Sequence, residues 1–381
     1  MYSNCACRDI IVEGDFALDM NGLRDGVCRS SLVVSTVAAL LAAVLAAGCG
    51  GGKTDENQTS APTSNAGASV NAPQSPSKSS LKIAVIPKGT THEYWKSIHA
   101  GAMKAAKELG EKGQTIEVNW QGAEKEDDRE KQIQIVEQFV TQKVDGIVLA
   151  PLDKEALVTP VEQAVDAGIP VTIIDSAIDT KKIASFVATP NEKGGNLAGE
   201  CLAKLLNGKG KVILMRYAVN SASTEAREKG FLDTIAKFPG ISVISKDQYA
   251  GATAATAQAT GEDLMARFGS QVDGIFCPNE SSAIGMLKVL EQDGKAGKVK
   301  FVGFDAGQTL LDALKAGSLQ GLVVQNPFNM GYLGLKTEVA AINKQSVDKV
   351  VDTGVTLITP ENLNSKENQE LLNPPIDQYV K

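Results

Sequence analysis

From Leu81 onward the chain alternates short apolar strands with amphipathic helices, and that alternation leaves few folds open to it. The spacing predicts strands over 81–87 ("LKIAVIP"), 115–121, 144–151, 169–175 and 182–189, with helices over 94–110, 128–142 and 155–168 between the first four. In the first helix Trp95, Ile98, Ala102, Ala105 and Leu109 recur at helical spacing, and Gly110 ends it. The pattern then restarts. Helices are predicted over 192–206, 225–238, 255–268, 281–294 and 309–317, with strands over 211–217, 241–248, 272–279, 299–305 and 319–327, before a last helix and a tail strand. Continuous apolar strands separated by helices build parallel sheets covered on both faces. Two rounds predict two doubly wound α/β lobes. "DGIVLAP" and "DGIFCPN" occupy matching places in the two rounds.

The 381 residues are 43% hydrophobic and 22% charged, enough for two domains of ordinary size. The net charge of −7 gives no electrostatic basis for a nucleic-acid partner. Ahead of the body, Ser31 to Ala47 is an apolar, small-residue run preceded by Arg24 and Arg29, and it ends in "AAGC" at Cys49. This reads as a secretory signal over 1–48. Cysteine directly after Ala-Gly resembles a bacterial lipobox, which implies cleavage before Cys49 and lipidation of its thiol. The first nineteen residues carry acids where a signal carries positive charge, and Met20 gives a more conventional start. Residues 49–80, rich in Ser, Asn, Pro, Thr and Ala, read as the anchor cysteine and a flexible tether.

In open α/β sheets ligands bind beyond the carboxyl ends of the strands. Those ends carry "KGTTHEYW", Asp175-Ser176, "CPNE" with Asn279, "GFDAG" with Asp305 and "VVQNP" with Gln325, while Arg227 lies in the helix after "LMRYAVN". An ionised carboxylate at the end of a buried strand needs a partner. Asp305 therefore either caps the following helix or faces a ligand. Carboxylates, amides and a guanidinium match hydroxyls that both donate and accept, and the flat faces of Tyr94 and Trp95 suit the C–H face of a sugar ring. The set has the composition of a carbohydrate site. By itself, Arg227 in "EAREK" reads as part of a solvated face, Trp95 fits the helix core as well as a site, and Asn279 and Gln325 fit turns beside Pro278 and Pro327. The run "EKEDDREK" (124–131) reads as a solvated helix start.

The competing chemistries lack their signatures. "PKGTTHEYW" does not carry the G-x-G-x-x-G of a dinucleotide enzyme, and neither a P-loop nor a nucleophile elbow is present. No cofactor and no enzymatic activity are expected. Two histidines, His92 and His99, give no histidine-rich metal site. Of six cysteines only Cys201 and Cys277 fall in the body, and the sequence does not decide whether they pair.

The ordered set "IAVIPKGTTHEYW", "IPVTIIDS", "EAREKGF", "IFCPNESSAIGML", "VGFDAG" and "VVQNP" resembles the periplasmic sugar-binding proteins of ABC importers, in the ribose-binding-protein-like branch. The resemblance covers Leu81 to the C-terminus. It implies the type I fold, with two lobes joined by a hinge crossed near Thr189, Gln325 and Val351. The lobes are then 81–188 with 326–351, and 189–325 with 352–381. It implies a monosaccharide ligand (a pentose, hexose or related polyol), a membrane permease as partner, a periplasmic location and a monomer. The same components also present sugars to sensor kinases or chemoreceptors, the alternative role. By the resemblance Tyr94 and Trp95 stack on the sugar, Asp175 pairs with its hydroxyls, and Arg227, Asn279, Asp305 and Gln325 supply the other polar contacts. Two positions depart: His92 stands where these binders carry Asn, and Ser176 where ribose binders carry Arg.

Overall fold

The computed structural model describes residues 78–380; the expected signal, Cys49 and the tether through residue 77 lie outside the described residues. In chain order the first round is β1 (Ser80–Ile86), α1 (Glu93–Glu111), β2 (Thr115–Trp120), α2 (Arg129–Thr141), β3 (Gly146–Leu149), α3 (Val158–Asp166), β4 (Val171–Ile174) and β5 (Ser185–Ala188). The second is α4 (Asn191–Leu205), β6 (Lys209–Arg216), α5 (Ala222–Ile235), β7 (Gly240–Tyr249), α6 (Ala254–Phe268), β8 (Gly274–Phe276), α7 (Glu280–Gln292), β9 (Lys300–Phe304), α8 (Gln308–Ala316) and β10 (Gly321–Val324). There follow α9 (Pro327–Ile342), β11 (Val350–Asp352), β12 (Thr356–Ile358) and α10 (Lys366–Leu372).

The strands form two six-stranded sheets with the same winding, β11-β5-β4-β3-β1-β2 and β12-β10-β9-β8-β6-β7. Each is apolar on both faces, which is why its strands read as unbroken hydrophobic runs. In the first lobe Ile98 and Ala102 of α1 and Met330 and Leu335 of α9 pack on Ile83 and Val85. On the other face Ile135 and Phe139 of α2 and Val161 of α3 cover Ala84, Ile86 and Ile147. In the second lobe α4 and α5 cover Val212, Leu214 and Phe276, and α6, α7 and α8 cover Ile213, Ile275 and Phe301. Phe231, Phe276, Phe301 and Phe304 are fully buried. Cutting one back to alanine costs about 3–5 kcal/mol. Cys201 and Cys277 are free buried thiols on opposite faces of the second sheet, so the sheet itself separates them.

The chain passes between sheets after β5, returns after β10, and passes again between β11 and β12. That last passage explains the tail, where one strand is expected and two are found. β11 runs parallel to β5, toward the other lobe; β12 continues away from the crossing and so pairs antiparallel with β10. After α10, whose Leu371 and Leu372 pack on the second-lobe core, Pro374 and Pro375 prevent further helix. The final turn Ile376–Gln378 then lies against α1, with the Tyr379 ring 6.0 Å from that of Phe328. The tail, expected to stay with the second lobe, thus ends on the first.

Candidate functional site

β4 and β9 hold the same place in the two sheets, and each is followed at once by an aspartate. Asp175 and Asp305 both adopt left-handed backbone, with φ of 63° and 71°. Aspartate enters that region more readily than most residues. Both carboxylates line one small cavity between the lobes, of about 40 Å³.

On the first-lobe side, Asp175 is 3% exposed and forms a buried ion pair with Lys88, whose Nζ lies 2.9 Å from Oδ2. The Tyr94 hydroxyl donates to its other oxygen at 2.8 Å. Burial, followed by the Asp175 and Asp305 charges, raises the Tyr94 phenol well above its ordinary value, so it stays a donor. Lys88 owes its place to Gln132 of α2. The Gln132 amide donates to the carbonyls of Pro87 (3.0 Å) and Ala150 (2.8 Å) and accepts from the Leu152 N–H, fixing the loops after β1 and β3. Trp95 is buried, edge-on to Tyr94 with centroids 5.0 Å apart, and its indole N–H donates to Glu126 at 2.7 Å. Tryptophan is therefore both helix core and cavity wall. His92, the residue before α1, also lines the cavity.

On the second-lobe side, Asp305 does not cap α8, whose preceding residue is Gly307. It caps a neighbour instead: Oδ2 accepts the N–H of Glu280, the first residue of α7, at 3.1 Å. Its Oδ1 accepts from Gln325 at 2.7 Å, while the Gln325 Oε1 is buried without a protein partner. Burial raises the Asp305 carboxyl above its usual range, against the opposing pull of the Arg227 charge. Arg227 is 2% exposed. Its guanidinium donates to Asn191 Oδ1 (2.8 Å) and the Pro278 carbonyl (2.9 Å) and lies 3.9 Å over the Phe304 ring. Helical phase sorts the charged run around it: Arg227 and Glu228 turn inward, and Lys229 stays in solvent, pairing Glu192 and Asp233. The inward turn brings α5 close to α4, where a Cβ on Gly195 would lie 1.9 Å from the Arg227 carbonyl oxygen. Glycine at 195 is what allows that approach. Asn279 lines the cavity and also caps α7, accepting from the Ser282 hydroxyl at 2.6 Å.

The lobes touch across the cleft. Lys88 Nζ lies 3.3 Å from the Ser223 hydroxyl, and the Ser223 N–H donates to Ser176 Oγ at 3.1 Å. Tyr217, just past β6, donates to Glu126 at 2.7 Å, and Lys154 pairs with Glu225 at 2.7 Å. Of the residues singled out in the sequence, His92, Tyr94, Trp95, Asp175, Arg227, Asn279, Asp305 and Gln325 come together on the cavity wall. Ser176 does not; its side chain points at Ser223 of the opposite lobe. Lys88, Glu126, Tyr217, Ser223, Thr224, Glu280 and Ser281 also line the cavity and were not singled out. The run 124–131 is the solvated helix start the sequence suggests, with Asp128 capping α2 at Arg129, and Glu126 is its one exception: half-buried, it reaches the cavity. Tyr217 stands directly past β6 and Lys88 two residues past β1, a signal the sequence did offer.

The sequence profile of the periplasmic binding protein domain matches residues 83–346. A D-ribose/D-allose-binding protein of Pseudomonas aeruginosa is 31% identical over 73% of this chain and 88% of its own length. A carbohydrate transporter solute-binding protein from Agrobacterium radiobacter, solved with D-arabinose, is 36% identical with a TM-score of 0.74, over 78% of this chain and all of that one. A second such protein, from Agrobacterium vitis with bound D-fucose, is 35% identical with a TM-score of 0.73, over 77% of this chain and all of that one.

Proposed function

The chain belongs to the periplasmic binding protein family, and we propose that it closes its two lobes over one monosaccharide as the capture component of an ABC-type sugar importer. Its relatives are solute-binding proteins rather than enzymes. The observation that carries the reading is the pair of equivalent aspartates, Asp175 and Asp305, facing one small cavity from opposite lobes. Carboxylates accept from sugar hydroxyls, and charged acceptors make the stronger hydrogen bonds. Gln325 Oε1 is a further buried acceptor with no protein partner to lose. Tyr94 and Trp95 offer ring surface to the apolar face of a pyranose or furanose. In this reading Lys88, with its charge beside Asp175, takes the part of the arginine that ribose binders carry at the position of Ser176.

The finer assignments rest on the sequence. The ligand is a pentose, hexose or related polyol; the periplasmic body is held to a membrane by lipidated Cys49 and a flexible tether; the bound sugar passes to a permease. A thermal-shift screen over pentoses, hexoses, deoxysugars and polyols tests the reading. A ligand at a hundred times its Kd stabilises the native state by about 2.7 kcal/mol, a rise in Tm of several degrees. Flat melting curves across the whole screen would contradict it.

A further inference from the structure

Two hollows meet at the Glu126–Tyr217 contact. The inner one is the cavity described above. The outer one, about 220 Å³, is bordered by Arg129, Asp153, Val219 and Ala252 and shares only Glu126 and Tyr217 with the inner. Glu126 comes from the first lobe, in the segment ahead of α2, and Tyr217 from the second, directly past β6. One carboxylate oxygen accepts the Trp95 indole N–H and the other the Tyr217 hydroxyl, both at 2.7 Å. Both donors are buried, with Trp95 at 2% and Tyr217 at 3% exposure. The carboxylate is therefore held from two sides by groups that would otherwise be left unpaired.

We propose that the Glu126–Tyr217 bridge is the end wall of the binding cavity: a gate, completed only when the lobes close, that limits the ligand to a single ring and delays its escape. The proposal rests on the sugar reading of the site. Trp95 aims the carboxylate before closure, since both residues belong to the first lobe. Tyr217 arrives with the second lobe. On this side of the cavity, opposite the hollow that shares Tyr94, Glu280, Asp305 and Gln325, a ligand carrying a second ring would have to pass where Glu126 and Tyr217 now meet. The outer hollow, whose lining is mostly apolar but carries the Arg129–Asp153 pair at 3.1 Å, would then receive that ring.

The test uses the full chain as wild type, Glu126→Ala, Tyr217→Ala and Tyr217→Phe, with thermal melts to check folding. The probes are the monosaccharides of the screen, their methyl glycosides and disaccharides built from them, read by native mass spectrometry and stopped-flow release. The gate predicts that wild type takes monosaccharides and rejects disaccharides by a hundredfold or more. Glu126→Ala or Tyr217→Ala should narrow that ratio to within about tenfold. Tyr217→Phe, which keeps the wall and loses the cross-lobe hydrogen bond, should keep the selectivity and release monosaccharide roughly three to tenfold faster. Disaccharides bound equally well by wild type would overturn the gate and leave the sugar reading standing. So would Ala variants that lose monosaccharides without gaining larger ligands. A wild type that binds none of the probes would overturn the sugar reading, and the gate with it.

Discussion

The two lobes place an aspartate at the same point of the same sheet, in the same left-handed conformation, yet surround it differently. Asp175 is neutralised in place: Lys88 pairs one oxygen and Tyr94 bonds the other. Among the described residues Asp305 has no ion-pair partner in contact; an amide, a helix N–H and the more distant charge of Arg227 hold it. The first-lobe aspartate is thus part of a finished network, while the second-lobe aspartate sits beside an unspent acceptor on Gln325. A sheet position fixes where a carboxylate stands. The partners brought by neighbouring loops fix how much of its hydrogen-bonding capacity is left for a ligand.

The sharpest way to break this contrast is Lys88→Met. Removing one member of a buried ion pair leaves the other charge uncompensated, at a cost of about 3–5 kcal/mol. Urea unfolding without ligand should show a loss of that size. If stability hardly changes, the first-lobe network is not the finished unit described. A second contrast is titratable, since each lobe holds one glutamate pushed up to about 8: the fully buried Glu338 by burial, and the half-buried Glu280 by desolvation in the cleft and then by Asp305, Glu93 and Glu126. Unfolded glutamate ionises near its ordinary value of 4.5. From there up to about pH 8 the folded chain keeps a proton that the unfolded chain releases, so stability falls as pH rises, by up to roughly 1.4 kcal/mol per unit for each group, and levels off above 8. Glu338→Gln and Glu280→Gln should each flatten that slope. Only Glu280→Gln should also change the pH dependence of sugar affinity, because Glu280 lines the cavity and Glu338 is buried against Thr172 and Ile147. Equal effects of both on binding would erase the distinction. The smallest effect belongs to Ser176→Ala, which removes one neutral hydrogen bond made across the cleft. That bond is worth about 0.5–1.5 kcal/mol to the closed form. Affinity should weaken about two- to tenfold, with free-state stability unchanged. A much larger loss would return Ser176 to direct ligand contact.

Most of the fold was legible because its strands are buried on both faces and so read as apolar blocks, and because each helix carries one apolar stripe. The tail was less so: β11 and β12 are three residues each, too short for a periodic signal, and a hinge crossing divides them. The site was legible where a polar residue directly follows an apolar strand, as with Asp175, Asp305 and Gln325. Glu126 was hidden because its neighbours are solvated charges and nothing local marks the one that turns inward. Ser176 misled for a related reason. It follows a strand as closely as Asp175 does, but the left-handed turn at Asp175 sends consecutive side chains to different places, one to the cavity and one to Ser223. Asp305 is placed for both of the roles that the sequence posed as alternatives, since it accepts the first N–H of a helix, though α7 rather than α8, and lines the cavity as well.

That dual role makes Asp305→Ala the most direct test, with sugar affinity measured by calorimetry and stability by urea unfolding without sugar. Loss of its hydrogen bond to the first N–H of α7, whose Asn279 cap stays in place, should cost about 1 kcal/mol of stability. Loss of a charged acceptor, worth about 1.5–3 kcal/mol per hydrogen bond, should weaken monosaccharide binding by roughly tenfold to several hundredfold. Lowered stability with affinity unchanged would mean that the carboxylate serves the helix alone, and that the two aspartates do not hold the ligand between them.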